Sequence, residues 1–166
     1  MKRAAPRLRA ATPADLPAIL GLIRGLAEYE ALAHEMVACE ADLRRALFAP
    51  VPAAHALLAD AEGQPVGLAL FYYTFSTFKG CANIFLEDLF VDPGWRGQGI
   101  GLALLRALAR RARAEGCARV EWRVLDNNAP AIAFYTALGA MPVRDWHVRQ
   151  LEGAALTALA EGADHG

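Results

Sequence analysis

Six consecutive residues, Arg96-Gly97-Gln98-Gly99-Ile100-Gly101, have types and spacing suited to holding an anion. Glycines let the backbone turn several N–H groups toward one point, and a helix starting there adds the positive end of its dipole. Arg96 supplies a permanent positive charge at the mouth. Such a cradle suits a diphosphate. Just upstream, Glu87 and Asp88 interrupt the apolar run Leu86-Glu87-Asp88-Leu89-Phe90-Val91. Carboxylates in that setting are candidates for holding a cation or taking a proton. Adjacent strand residues point to opposite faces, so only one of the two is expected to face a given pocket directly.

The elements that must position these groups follow from the flanking sequence. Residues 86–91 read as a strand, and Asp92-Pro93-Gly94-Trp95 breaks it with turn chemistry. Beyond the glycines, Ile100, Leu104, Leu105, Leu108 and Ala112 recur at helical spacing with Arg106, Arg110 and Arg113 opposite, and Gly116 closes the helix. Two familiar glycine loops do not fit. A Walker loop needs four residues between its glycines and then Lys-Ser/Thr, and a dinucleotide fingerprint needs glycine at position 102, where Leu102 stands.

Elsewhere the chain alternates short elements. Residues 7–10 form a candidate strand, and Thr12-Pro13-Ala14-Asp15 is a capping box ahead of a helix reaching about Tyr29. Leu16, Ile19, Leu20, Ile23, Leu26 and Ala27 make its apolar face, and Glu28, Tyr29 and Glu30 lie at its end. A shorter helix spans 40–48. Strands 54–60 and 65–75 flank the turn Ala61-Glu62-Gly63-Gln64 as an antiparallel hairpin. Residues 118–125 alternate as another strand. Asn128 is an apt N-cap, with Pro130 in the first turn of a helix ending at Gly139. Residues 146–151 read as a last strand and 153–160 as a tail.

Length and charge bound the function. A chain of 166 residues with 55% hydrophobic content suits one domain, 1–166, with a real core. A formal charge of −1 offers no global field for nucleic acid, and Arg106, Arg110, Arg111 and Arg113 read as a solvated helix face. No apolar run approaches a membrane span, and residues 1–11 lack the apolar core of a signal peptide. Cys39, Cys81 and Cys117 are widely spaced, without metal or redox motifs, and His34, His55, His147 and His165 join no ligand set. No metal and a reduced cytoplasmic location are the expectations.

Residues 96–101 resemble the R-G-x-G-[IV]-G pyrophosphate loop of the GCN5-related N-acetyltransferases. The run 86–91 and the later Pro130-Ala131-Ile132-Ala133-Phe134-Tyr135 resemble the branch holding the diamine (spermidine/spermine) acetyltransferases and their bacterial relatives. The resemblance runs from Leu8 to Ala160. It implies an α/β acetyltransferase fold, with a mixed, mostly antiparallel sheet of about six or seven strands and roughly four flanking helices. The implied reaction is N-acetyl transfer from acetyl-CoA to a primary amine, the acceptor being a small cation such as a polyamine, diamine or lysine analogue. The other readings are a non-catalytic acyl-CoA-binding module and a protein N-acetyltransferase. Glu87, Asp88 and Tyr135 together weigh against the first of these.

The resemblance also implies roles by position. Arg96, Gly97, Gln98, Gly99, Ile100 and Gly101 hold the CoA diphosphate, Asn128 bonds the CoA arm, and the backbone of Leu89, Phe90 and Val91 polarises the thioester. Tyr135 protonates the departing thiolate. Glu87 serves catalysis, with Glu28, Tyr29, Glu30, Phe78 and Asp88 around the acceptor. The chain departs from that branch where Asn127 and Phe78 stand in place of tryptophans, and at Ala31, Ala33 and His34, a stretch more acidic in the polyamine enzymes. These departures bear on the acceptor and not on the cofactor loop. A homodimer joined through the strand 146–151 is the expected assembly, since an apolar edge strand calls for a partner.

Overall fold

Arg9 shows how the sequence ties its first elements together. It lies on strand β1 (Arg7–Ala10), and its guanidinium pairs with Asp15 at 2.7 Å and with Asp60 at 2.5 Å. Asp15 also accepts from the Thr12 backbone N–H and hydroxyl, which completes the expected capping box. The Arg9 guanidinium first, and then these Thr12 donors, hold its carboxyl well below the usual range. A single 3-10 turn (Pro13–Asp15) then leads into helix α1 (Leu16–Tyr29).

The computed structural model describes residues 6–162; residues 1–5 and 163–166, with part of the 1–11 segment and His165, lie outside the described residues. After α1 come a 3-10 turn at Ala33–Glu35, helix α2 (Glu40–Phe48), and strands β2 (His55–Ala61), β3 (Gln64–Ser76) and β4 (Cys81–Val91). A 3-10 turn at Pro93–Trp95, helix α3 (Ile100–Ala114), strand β5 (Val120–Trp122), and helices α4 (Ala129–Ala137) and α5 (Gly153–Ala160) complete the order. The five strands form one mixed sheet in the order β1-β2-β3-β4-β5. Neighbours are antiparallel except β4 and β5, which run parallel.

Two compact units divide the chain, Met1–Arg123 and Val124–Gly166. In the first unit, helices cover both faces of the sheet. On one face Leu16, Ile19 and Leu22 of α1 and Leu43 and Leu47 of α2 pack with Ala56, Leu58, Leu68, Leu70 and Phe90. Leu22, outside the expected stripe, is buried, while Leu20, Ile23 and Leu26 pack at its margin. On the other face lies α3, whose buried residues Ile100, Leu104, Leu105, Leu108 and Ala112 are the five its periodicity predicts. Gly67 permits that contact, because a Cβ there would sit 3.0 Å from Ile100 Cγ2 and 3.3 Å from the Ala59 Cβ.

Arg106, Arg110 and Arg113 are exposed as expected, but Arg111 is not part of a solvated face. It lies over the Phe71 ring and donates to Tyr73 and Glu115. The second unit holds α4, capped by Asn128 through a bond from the Ala131 N–H, and α5. Here the structure corrects two expectations. Residues 146–151 form no strand, and 153–160 are helical. A strand needs a hydrogen-bonded neighbour, and Asp145, at φ 66°, turns the backbone away from extended geometry just before the segment. The sheet therefore has five strands among the described residues, with five α-helices.

Candidate functional site

One irregularity in β4 organises the site. The β3–β4 ladder pairs Leu70 with Asp88 and then Phe71 with Leu86, so Glu87 is an extra residue without a partner. This is a β-bulge, and it shifts the alternation of everything after it. Before it, Phe85 stacks on Tyr72 and Leu86 lies opposite Phe71 on the α3 face. After it, Asp88 stands opposite Leu70, and Phe90 joins the α1-face core. Glu87 is on that α1 face too, because it pairs with Arg123, whose guanidinium lies over the Phe85 ring. Glu87 and Asp88 therefore share one face, which corrects the expectation that they diverge.

The same bulge sets the backbone. The Asp92 N–H bonds to the Val66 carbonyl of β3 at 2.9 Å, so the peptide groups of Leu89 and Val91 point the other way. That way is open: β5 pairs with β4 only from Ile84 to Leu86, and among the described residues no strand continues the pairing. The edge of β4 at Leu89–Val91 thus presents N–H and C=O groups to one side, as the resemblance implies.

The glycine loop follows directly. Gly97 at φ 74° and Gly99 at φ 77° hold left-handed conformations that favour glycine, and a Cβ at either would meet nothing within 4 Å. The first intrahelical bond of α3 runs from the Ala103 N–H to Gly99 O, which leaves the N–H groups of Ile100, Gly101 and Leu102 without intrahelical partners. Arg96 departs from its expected place at the mouth. Its Nε donates to Val91 O at 3.0 Å, and its guanidinium covers the rings of Tyr29 and Phe90 at 4.6 and 5.4 Å. It braces the loop, the β4 edge and the end of α1 against one another.

Asp88 is the perturbed acid. Burial, then the neighbouring charges of Glu87 and Glu30, raise its carboxyl to about 6, and Arg123 opposes them. Burial also raises Glu30. Glu87 is held by Arg123 Nη2, at 3.1 and 3.2 Å from its two oxygens. Burial first, then the adjacent Glu87 carboxylate, raises the Tyr72 hydroxyl. The other expected acceptor residues are dispersed. Glu28 lines a groove of about 390 Å³ with Gly21, Gly25, Phe90 and Asp92, a lining that does not include Glu30. Tyr29 lies under Arg96. Phe78 is 93% exposed in the β3–β4 turn, and seven strand steps from Cys81 to Asp88 put it more than roughly 20 Å from the acids.

In the second unit Asn128 is the cap of α4, and Tyr135 lies on that helix with its ring 5.3 Å from that of Phe134. Sequence reading missed Arg123, because only the parallel register of β5 on β4 places it beside Glu87. A charged residue at a strand end was its single sequence signal. Among the described residues no three His, Cys, Asp or Glu side chains gather as a metal site, and no helix is long and apolar enough to cross a membrane.

Comparison with known proteins places this geometry. The acetyltransferase (GNAT) family profile matches residues 24–140. Thialysine N-epsilon-acetyltransferase of Bos taurus is 41% identical over 92% of this chain and 96% of its own length. L-ornithine N5-acetyltransferase of Arabidopsis thaliana is 31% identical over 92% and 87%. Among solved structures, an integron cassette protein from the mobile metagenome of V. cholerae superposes with a TM-score of 0.80 at 26% identity, covering 96% of this chain and 99% of that one. With the open β4 edge and the glycine cradle beside it, these matches establish that the chain belongs to the GNAT acetyltransferase family, as an N-acetyltransferase whose acetyl donor is acetyl-CoA.

Proposed function

We propose that the acceptor is the side-chain amine of a small cationic molecule of the lysine-analogue class, and that Asp88 takes its proton. The observation that carries this is the shared face of Glu87 and Asp88, created by the bulge one turn ahead of the cofactor cradle, with Glu30 at the end of α1 close enough to act on Asp88. An alkylammonium has a pKa of roughly 10.4, so only about one molecule in a few thousand is free base at neutral pH. The acids attract the cation. A carboxylate near 6 is also a better proton acceptor than an ordinary aspartate, narrowing the uphill transfer by about 3 kcal/mol. Proton loss through an intervening water suits a buried acid of this kind.

The remaining chemistry follows from the thioester. The neutral amine attacks the carbonyl carbon, and N–H groups along Leu89–Val91 stabilise the developing oxyanion. Collapse forms the amide and expels the CoA thiolate, which needs a proton. Tyr135 is the donor that the resemblance implies, and Asn128 a contact to the CoA arm. The diphosphate takes the N–H groups of residues 97–102, with Arg96 close enough to turn toward it. Glu87 is held by Arg123 in a supporting role, Glu28 and Tyr29 border the α1 side, and Phe78 has no support from this chain's own geometry.

A cytoplasmic homodimer, the whole chain acting as one catalytic unit, completes the reading. Trp146 at 76% exposure, Val148 at 75% and Leu151 at 52% support an association through residues 146–151, since such a run calls for cover. The deciding experiment is an acceptor panel of polyamines, diamines, lysine analogues, amino acids and aminoglycosides, scored by CoA thiol release. Turnover of side-chain amines, weakened by added salt, supports the reading. Preference for neutral or acidic acceptors overturns it and leaves the acetyl-CoA site standing.

A further inference from the structure

We propose that Arg123 and Glu87 together form a clamp for the zwitterionic head of an amino-acid acceptor, with Arg123 selecting amino acids that carry a side-chain amine over the corresponding diamines. The inference rests on the amine reading above and specifies which amines the site takes.

A site built only to attract small cations gains nothing from a guanidinium beside its acids. Arg123 is nonetheless held there by two contacts, the ion pair to Glu87 and the face of the Phe85 ring 5.5 Å from its central carbon. Phe85 in turn stacks on Tyr72, so the ring beneath the guanidinium is itself braced. The bond to Glu87 uses Nη2 alone, at 3.1 and 3.2 Å, and the Arg123 side chain is 60% exposed. Nη1 and Nε make no hydrogen bond among the described residues, and a guanidinium has five N–H groups in a fixed fork. A carboxylate can therefore add to its outer edge while Glu87 keeps Nη2.

The counter-charge is equally placed. Glu87 is itself 37% exposed; Arg123 is its charged partner and the Tyr72 hydroxyl donates to it, which still leaves carboxylate lone-pair capacity for an α-ammonium. An α-amino acid presents opposite charges two bonds apart, and the Arg123–Glu87 pair presents the complementary couple. Asp88 follows Glu87 on the same face, with Glu30 close enough to raise it. Adjacent strands lie about 4.8 Å apart and a strand rises about 3.3 Å per residue, so Asp88, one residue past Glu87, stands roughly 6 Å from the strand position of Arg123, a span that an amino acid with a three- or four-methylene side chain covers in extended form. Its side-chain amine then meets Asp88 while its head meets the clamp. A diamine in the same pose would bring a second ammonium against Arg123, so the residue both attracts the right acceptor and repels the wrong one.

The test compares L-lysine, thialysine and L-ornithine, each against the diamine left when its carboxyl is removed, in wild type, Arg123→Gln and Arg123→Lys. Wild type is expected to favour the amino acids in kcat/KM. Arg123→Gln should lower amino-acid kcat/KM roughly 10- to 100-fold, the scale of a lost charge-assisted bond. The loss should fall mainly in KM, with the diamines unchanged or improved, and Arg123→Lys should recover part of it. CoA affinity and thermal stability, measured on the same variants, report folding. A parallel fall for both acceptor classes assigns Arg123 to structure and overturns the inference, as does an unchanged amino-acid-to-diamine ratio. Wild type that acetylates diamines but not amino acids overturns the clamp alone. Wild type that acetylates neither overturns the amine reading as well.

Discussion

Asp88→Asn should strongly lower activity and, at neutral or higher pH, make the protein more stable. In the folded chain the Asp88 carboxyl sits at about 6 against an ordinary 3.8, chiefly through burial and then through Glu87 and Glu30. Between those two values the folded state holds a proton that the unfolded state has lost, so stability falls as pH rises through the window. Above about 6 the full cost of ionising Asp88 is present, about 3 kcal/mol at most for that difference. Below the ordinary value both states are protonated and the cost vanishes. An asparagine has the same shape and no charge to bury, so it removes a cost that exists only at the higher pH. For a chain of this size 1 kcal/mol corresponds to roughly 2–4 °C in Tm. Asp88→Asn should then raise Tm by roughly 6–12 °C at pH 8 and by little at pH 4, while kcat/KM falls roughly 10²–10⁴-fold. Calorimetric or fluorescence melts at the two pH values, beside kcat/KM from pH 5 to 9, provide the check. The wild-type profile should show an acid limb near 6, and Glu30→Gln should move it to lower pH by removing one repelling charge. A Tm difference equal at both pH values, or an acid limb near 4, would refute the assignment of Asp88 as a buried base.

Four further outcomes are expected. Gly99→Glu should nearly abolish CoA binding by calorimetry, since it puts a side chain and a negative charge at the cradle. Gly99→Ala should lose much less, about 1–2 kcal/mol of left-handed strain. Tyr135→Phe should lower kcat roughly 10²-fold or more with little change in acetyl-CoA affinity, and a wild-type kcat would assign the hydroxyl to packing. Gly67→Ala should destabilise the fold by about 1–3 kcal/mol and weaken CoA binding together. Its Cβ would meet Ile100 at 3.0 Å, in the first turn of the helix that forms the cradle. Light scattering should give twice the 17.8 kDa chain mass, and a monomer at micromolar concentration would remove the proposed pairing through residues 146–151.

What the sequence determined by itself was whatever local geometry decides. The cradle was legible because left-handed glycines, a turn and an amphipathic helix leave their mark within a dozen residues, and Gly97, Gly99 and Ile100 stand where that pattern puts them. Likewise the Thr12 capping box, the Asn128 cap and the five buried residues of α3 depend only on neighbours a few positions away. The family, too, could be read from the chain, since its motifs are contiguous. Tertiary structure decided the rest. Strand alternation assigns Glu87 and Asp88 to opposite faces, and only the ladder to β3 shows the extra residue that brings them together. The same ladder turns Leu89 and Val91 toward the open edge, and the parallel register of β5 sets Arg123 against Glu87. Arg111 leaves the solvated stripe because the sheet offers it Phe71 and Tyr73. Residues 146–151 form no strand, for alternation supplies a surface but not a partner. A bulge, a register and a strand's neighbour are relations between distant segments, and no window along the chain contains both of them.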